Sequence, residues 1–179
     1  TFRNNLNGKL KPSVLICPGG GYGMTWPGEG QPVAFDYLAV GCNCFILHYS
    51  VKPHVFPQAI LEIACAVDYI VAHSDEHRSD PSKIAILGFS AGGHLALAAG
   101  VKGENKPNAM ILGYPAVTTP NNPMSNFMVK LLSGKKEVTD ADCAEYSLEN
   151  FMRLGDEDAK KKVTVKNAKG YKITKLKVK

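Results

Sequence analysis

No histidine follows position 94 in this chain; the five present are His48, His54, His73, His77 and His94. No apolar run approaches the roughly 20 residues that a membrane-spanning helix needs. Nothing at the start reads as a signal peptide, and the chain opens on Thr1 rather than Met. Paired cysteine spacing is missing as well: Cys17, Cys42, Cys44, Cys65 and Cys143 are odd in number and include no Cys-x-x-Cys. Neither a disulfide framework nor a zinc site is therefore expected. Cys17, Cys44 and Cys65 lie in apolar segments and read as small hydrophobes. Acidic residues are absent from the last twenty positions, which hold nine lysines, so the formal charge of +5 becomes −4 over the first 159 residues. A basic excess confined to one terminus describes a solvated tail, not a nucleic-acid surface on the fold. No cofactor is expected, and composition leaves the compartment undecided.

What is present is the composition of one soluble globular domain, 179 residues with 45% hydrophobic content. Short apolar runs at residues 13–17 (SVLIC), 44–49 (CFILHY) and 83–87 (KIAIL) predict buried strands, and 109–114 (AMILGY) resembles them. Runs without alternation suit a parallel sheet covered on both faces by helices. Ile60, Ile63, Ala64, Val67, Ile70 and Val71 make a helical stripe, with Pro57 suited to its first turn. Shorter helices are expected over about 31–40, from Ser90 to about 100, over 126–132, and after Thr139, a capping residue with Asp142 three positions on. Strand and helix alternate as in an α/β domain. Residues 1–158 thus read as one α/β unit. Residues 159–179 read as a basic tail whose alternation predicts a lysine-rich hairpin turning at 167–170.

The segment Gly88-Phe89-Ser90-Ala91-Gly92 follows the third strand and opens a helix. A sharp strand-to-helix turn would hold a serine in a strained conformation with its hydroxyl exposed. Chain segments crowd such a turn, so the positions two before and two after the serine must be small. The N–H of Ala91, at the helix start, would face a developing oxyanion. A glycine-rich turn of this kind could equally bind an anion.

Upstream, CPGGGYG (residues 17–23) supplies three consecutive glycines after the first strand. In α/β-hydrolases such a loop provides the other oxyanion amide. A dinucleotide-binding turn is the competing explanation, but the sixth residue from Gly19 is Met24 and from Gly21 is Trp26, so Gly-x-Gly-x-x-Gly is not met. No Gly-Lys-Ser/Thr occurs either.

Together with EGQPVA, LHYSV, FPQAILEIACAVDYI, DPSKIAILGFSAGGHLA, ILGYPAVT and AEYSLEN, these motifs resemble the acetyl-esterase/xylan-esterase branch of the α/β-hydrolases over about residues 10–150. The resemblance implies an α/β-hydrolase-like, mostly parallel sheet flanked by helices, truncated at its C-terminal part. It implies a serine esterase for short acyl esters, with a small-molecule or carbohydrate ester as substrate. Ser90 matches the nucleophile; Gly20, Gly21 and Ala91 match the oxyanion donors, with Gly19 as their neighbour. His48 stands where such enzymes often carry arginine.

The acid and base of this fold follow the nucleophile in the order Ser, Asp/Glu, His. No histidine here lies in that order. His94 is four residues past Ser90 and matches a family histidine that does not serve as base, so a structural role is expected. His73 and His77 read as solvated residues at a helix C-terminus, and Asp156 and Asp158 as solvated acids. Two expectations stand: a serine esterase, feeble for want of a base, or a non-catalytic binding domain on a hydrolase scaffold. Open edges on four central strands favour an oligomer over a monomer.

Overall fold

Four parallel strands form the sheet, in the order β2-β1-β3-β4. The structure, a computed structural model, describes residues 9–102, 107–116 and 122–148. The strands are β1 (Lys11–Cys17), β2 (Asn43–Ile46), β3 (Ser79–Phe89) and β4 (Ala109–Gly113). A 3-10 turn (Pro27–Glu29) and helix α1 (Gln31–Ala39) connect β1 to β2. Helices α2 (Gln58–Ala72) and α3 (Ser74–His77) lead into β3, and α4 (Ser90–Lys102) leads to β4. Helices α5 (Pro123–Ser133) and α6 (Asp140–Glu145) follow.

Residues of β1 alternate between two cores because successive side chains of a strand point to opposite faces. Leu15 and Cys17 join Ile63, Val67, Leu95 and Ala99 of α2 and α4 on one face. Val14 and Ile16 meet Ala34 and the α1 side on the other. Both faces are covered, which is why β1 reads as an unbroken apolar run.

Several expectations need correction. β2 ends at Ile46, so His48 lies in the following loop. In α2 the buried stripe is Ala59, Ile63, Val67 and Ile70, whereas Val71 is exposed. Cys65, which read as a core hydrophobe, is exposed on the outer face of that helix. His77 is buried rather than solvated: the α3 turn folds it back beneath the sheet, where its ring meets Phe45 at 5.3 Å and Tyr69 at 5.5 Å. Periodicity could not reveal that turn. The apolar residues of β4, Met110, Ile111 and Leu112, are exposed, because β4 is the edge strand of the described sheet. The expected hairpin, the boundary after residue 158, Asp156 and Asp158 lie outside the described residues.

The cap expected at Thr139 is present. Its hydroxyl accepts from the Asp142 N–H at 3.2 Å, and the Asp142 carboxylate accepts the Thr139 N–H at 2.8 Å. Thr139→Ala should lower stability by about 1 kcal/mol, seen as a shift of the urea midpoint at constant slope, with Thr139→Ser close to wild type. The Lys135 ammonium, with the N–H and hydroxyl of Thr139, holds the Asp142 carboxyl down at about 2 from its ordinary 3.8. The folded value lies below the unfolded one. This contribution is therefore present above 3.8 and is lost as the pH falls through about 2. Across that window the urea midpoint should fall more for the wild type than for Asp142→Asn.

Candidate active site

The chain leaves β1 for β2 on one side and returns to β3 on the other, so β1 and β3 lie side by side with their C-terminal ends together. A crevice at such a switch point is where open α/β sheets bind ligands. The glycine loop after β1 and the serine turn after β3 meet there.

Ser90 has φ +49°, in the left-handed region that costs an L-residue about 1–2 kcal/mol. It joins Phe89, the last residue of β3, to the first turn of α4. The flanking glycines are enforced by backbone contact. A Cβ on Gly92 would lie 2.0 Å from the Cys17 carbonyl oxygen, and one on Gly88 would lie 2.2 Å from the Gly92 oxygen. Ala91 is fully buried in the first turn of α4, whose leading N–H groups have no partner within the helix.

Three side chains pin the glycine loop. The Gly19 N–H donates to Glu29 Oε2 at 2.6 Å. The Tyr49 hydroxyl donates to the Pro18 carbonyl at 2.7 Å. Tyr22, itself at φ +61°, is joined through its hydroxyl to His94 Nδ1 at 2.8 Å. His94 Nε2 lies 2.9 Å from the Tyr146 carbonyl. A carbonyl only accepts, so Nε2 carries the proton and Nδ1 accepts from Tyr22. Burial pushes the Tyr22 phenol well above its ordinary value, so it stays a donor. The loop is thereby fixed on both sides of Gly20 and Gly21, whose amides make no hydrogen bond among the described residues. Gly20 has φ +127°, and a Cβ there would meet the Met24 oxygen at 2.2 Å.

The structure thus brings the loop that carries Gly20 and Gly21 against the elbow of Ser90 and Ala91, through Gly19, and assigns the Gly19 amide to Glu29. It also holds His94 as a buried tie between the glycine loop and α6. Among the described residues no hydrogen bond joins another histidine to Ser90. His48 Nδ1 faces Thr25 Oγ1 at 3.3 Å, His73 stacks on Tyr69 at 4.1 Å, and His77 lies under the sheet. Sequence reading missed Glu29, Tyr49 and Tyr114. Glu29 stood inside the quoted EGQPVA segment, but nothing in the spacing tied it to a glycine ten residues away. A small cavity beside His94, lined by Phe56, Ile60 and Tyr146, is not part of this site. Among the described residues no cluster of His, Cys, Asp or Glu could hold a metal ion, and no helix is long and apolar enough to cross a membrane.

The model of the BD-FAE family matches residues 7–176. The chain belongs to the BD-FAE family. That match runs past residue 150, where the resemblance in the sequence ends, into the lysine-rich segment. Endo-1,4-beta-xylanase B of Butyrivibrio fibrisolvens is 31% identical over 157 residues, covering 78% of this chain and 24% of that protein. MGS-M1, an α/β hydrolase from a Medee basin deep-sea metagenome library, is 37% identical with a TM-score of 0.63, covering 79% of this chain and 56% of that one. An acetyl ester-xyloside bifunctional hydrolase from Caldicellulosiruptor lactoaceticus is 28% identical with a TM-score of 0.70, covering 81% of this chain and 58% of that one. The fold is that of the α/β-hydrolases, and the chain spans about a quarter of the curated relative's length and under three fifths of these structures.

Proposed function

We propose that this chain is a serine-dependent carboxylic ester hydrolase for short acyl esters, acetyl esters of a small-molecule or carbohydrate alcohol foremost. One observation carries the reading: a left-handed Ser90 opens α4 beside a glycine loop that is pinned on both sides yet leaves the Gly20 and Gly21 amides unbonded. In this reading Ser90 Oγ attacks the ester carbonyl. The amides of Gly20, Gly21 and Ala91 receive the oxyanion, and the loop needs no rearrangement as charge develops. The named acetyl ester-xyloside hydrolase among the similar structures supports the acyl group and a sugar alcohol.

The step lacking a residue is proton removal. Among the described residues none hydrogen-bonds the Ser90 hydroxyl, and the one histidine that follows it, His94, is held by the Tyr22 hydroxyl and the Tyr146 carbonyl. Binding and an oxyanion hole alone retain about 10³–10⁴ over water, so this chain should hydrolyse p-nitrophenyl acetate slowly but through Ser90. Ser90→Ala should bring the rate to that of buffer with protein surface. Equal rates for the two proteins would remove Ser90 from the reaction, and brisk Ser90-dependent turnover would show that a base is present.

The missing proton acceptor also favours a second reading, a binding domain on a hydrolase scaffold. A serine-directed phosphonate separates the two, because an adduct requires a nucleophile that attacks.

A further inference from the structure

We propose that Glu29, Tyr114 and Trp26 form a subsite for an uncharged, polyhydroxylated alcohol, a pyranoside ring, beside Ser90; this deepens the esterase reading and rests on it for the ring's role in catalysis. Tyr114 follows the C-terminal end of β4, beside the elbow, and its backbone is in the left-handed region at φ +34°. A bulky aromatic residue there is a strained outlier, and strain of this kind persists where the surroundings fix it for use. The residue is 67% exposed, so core packing does not explain it. The ring is nevertheless held in place: the hydroxyl donates to Glu29 Oε1 at 2.5 Å, and Phe89 lies 5.8 Å away between centroids.

Glu29 connects this ring to the reacting centre. Its other oxygen takes the Gly19 N–H, and a Cβ on Gly19 would lie 2.8 Å from that oxygen and 2.9 Å from the Ser90 Cβ. The carboxylate and the nucleophile therefore border the same point. Each carboxylate oxygen has a lone pair left after these bonds and can accept a hydroxyl. Trp26, in the turn that carries Glu29, is 55% exposed; its backbone N–H donates to the Gly19 carbonyl at 2.8 Å, and its indole nitrogen lies against Gly28. Two exposed, positioned aromatic rings offer faces for the C–H surface of a sugar, and the carboxylate between them in the contact chain offers acceptors for its hydroxyls. Its charge, a few ångströms from the nucleophile, disfavours an anionic alcohol.

Trp26 is the chain's single tryptophan, so binding can be read without turnover. Xylotriose should change Trp26 fluorescence saturably, with half-saturation on the order of millimolar. Tyr114→Ala and Glu29→Gln should each weaken this roughly tenfold, and trigalacturonate should bind at least about tenfold more weakly than xylotriose. Tyr114→Asn separates function from folding: asparagine tolerates the left-handed backbone, so the urea midpoint should hold or rise while xylotriose binding falls. No saturable change with xylotriose, an unaltered response in Tyr114→Asn, or equal binding of trigalacturonate would overturn the subsite. Failure of the esterase reading would leave the fluorescence response intact, so the two are distinguishable.

Discussion

Gly92→Ala is expected to abolish the native fold or to cost more than about 4 kcal/mol, a size reached only by a few mechanisms. The cause is backbone against backbone. An added Cβ would sit 2.0 Å from the Cys17 carbonyl oxygen, 2.5 Å from that of Pro18 and 2.6 Å from the Cys17 carbonyl carbon. No side chain can turn away to relieve this, and moving the end of β1 would break its register with β3 at Cys17 and Gly88. Gly41→Ala is the control: a Cβ there meets nothing within 4 Å, and only its φ of +95° is unfavourable. Urea unfolding of the two variants should differ widely, with a native-like transition for Gly41→Ala and a lost or strongly shifted one for Gly92→Ala. A Gly92→Ala protein within about 1 kcal/mol of wild type would contradict the close approach of α4 to β1.

His94→Ala should cost about 3 kcal/mol, because it strips partners from the buried Tyr22 hydroxyl and from the Tyr146 carbonyl and leaves a void. His94→Gln, which retains a donor and an acceptor, should recover part of the loss. The same residue sits one helical turn from Ser90, and its kinetic signature decides between a structural tie and a base. With His94 committed to Tyr22 and Tyr146, the pH dependence of Ser90 acylation should show no break near 6.5, the ordinary histidine value. His94→Gln should leave the shape of that profile unchanged while lowering its height. Loss of a histidine limb in the variant would make His94 the base and overturn the assignment.

Much of this was legible because single local constraints produce single local patterns. β1 lies under helices on both faces, so Val14 to Cys17 are apolar without alternation, and SVLIC announces it. Gly88 is forced by the Gly92 backbone within the turn and Gly92 by the end of β1 that crowds it, and both leave their mark in the same five residues of the elbow. The capping box at Thr139 is likewise local, complete within the four residues from Thr139 to Asp142. What sequence could not show depends on contacts far apart in the chain. Glu29 meets Gly19 and Tyr114, the latter 85 residues away, and only the side-by-side placement of β1, β3 and β4 joins them. His77 is buried because a short turn reverses the chain after α2, and β4 is exposed because of its place at the sheet edge.

Ser90 is proposed to act as a nucleophile in a formed oxyanion hole, with no base bonded to it among the described residues. Acid-quenched mass analysis after p-nitrophenyl acetate tests that most directly. The p-nitrophenolate leaving group needs no proton, so Ser90 can be acetylated, its hydroxyl proton passing to solvent. Hydrolysis of the acetyl-enzyme then lacks a base to activate water, and the intermediate accumulates. The expected result is one acetyl group on the peptide carrying Ser90, absent from Ser90→Ala and reduced in His94→Gln. Acetylation confined to lysines, or a Ser90 peptide left unmodified while the ester is consumed, would contradict the account.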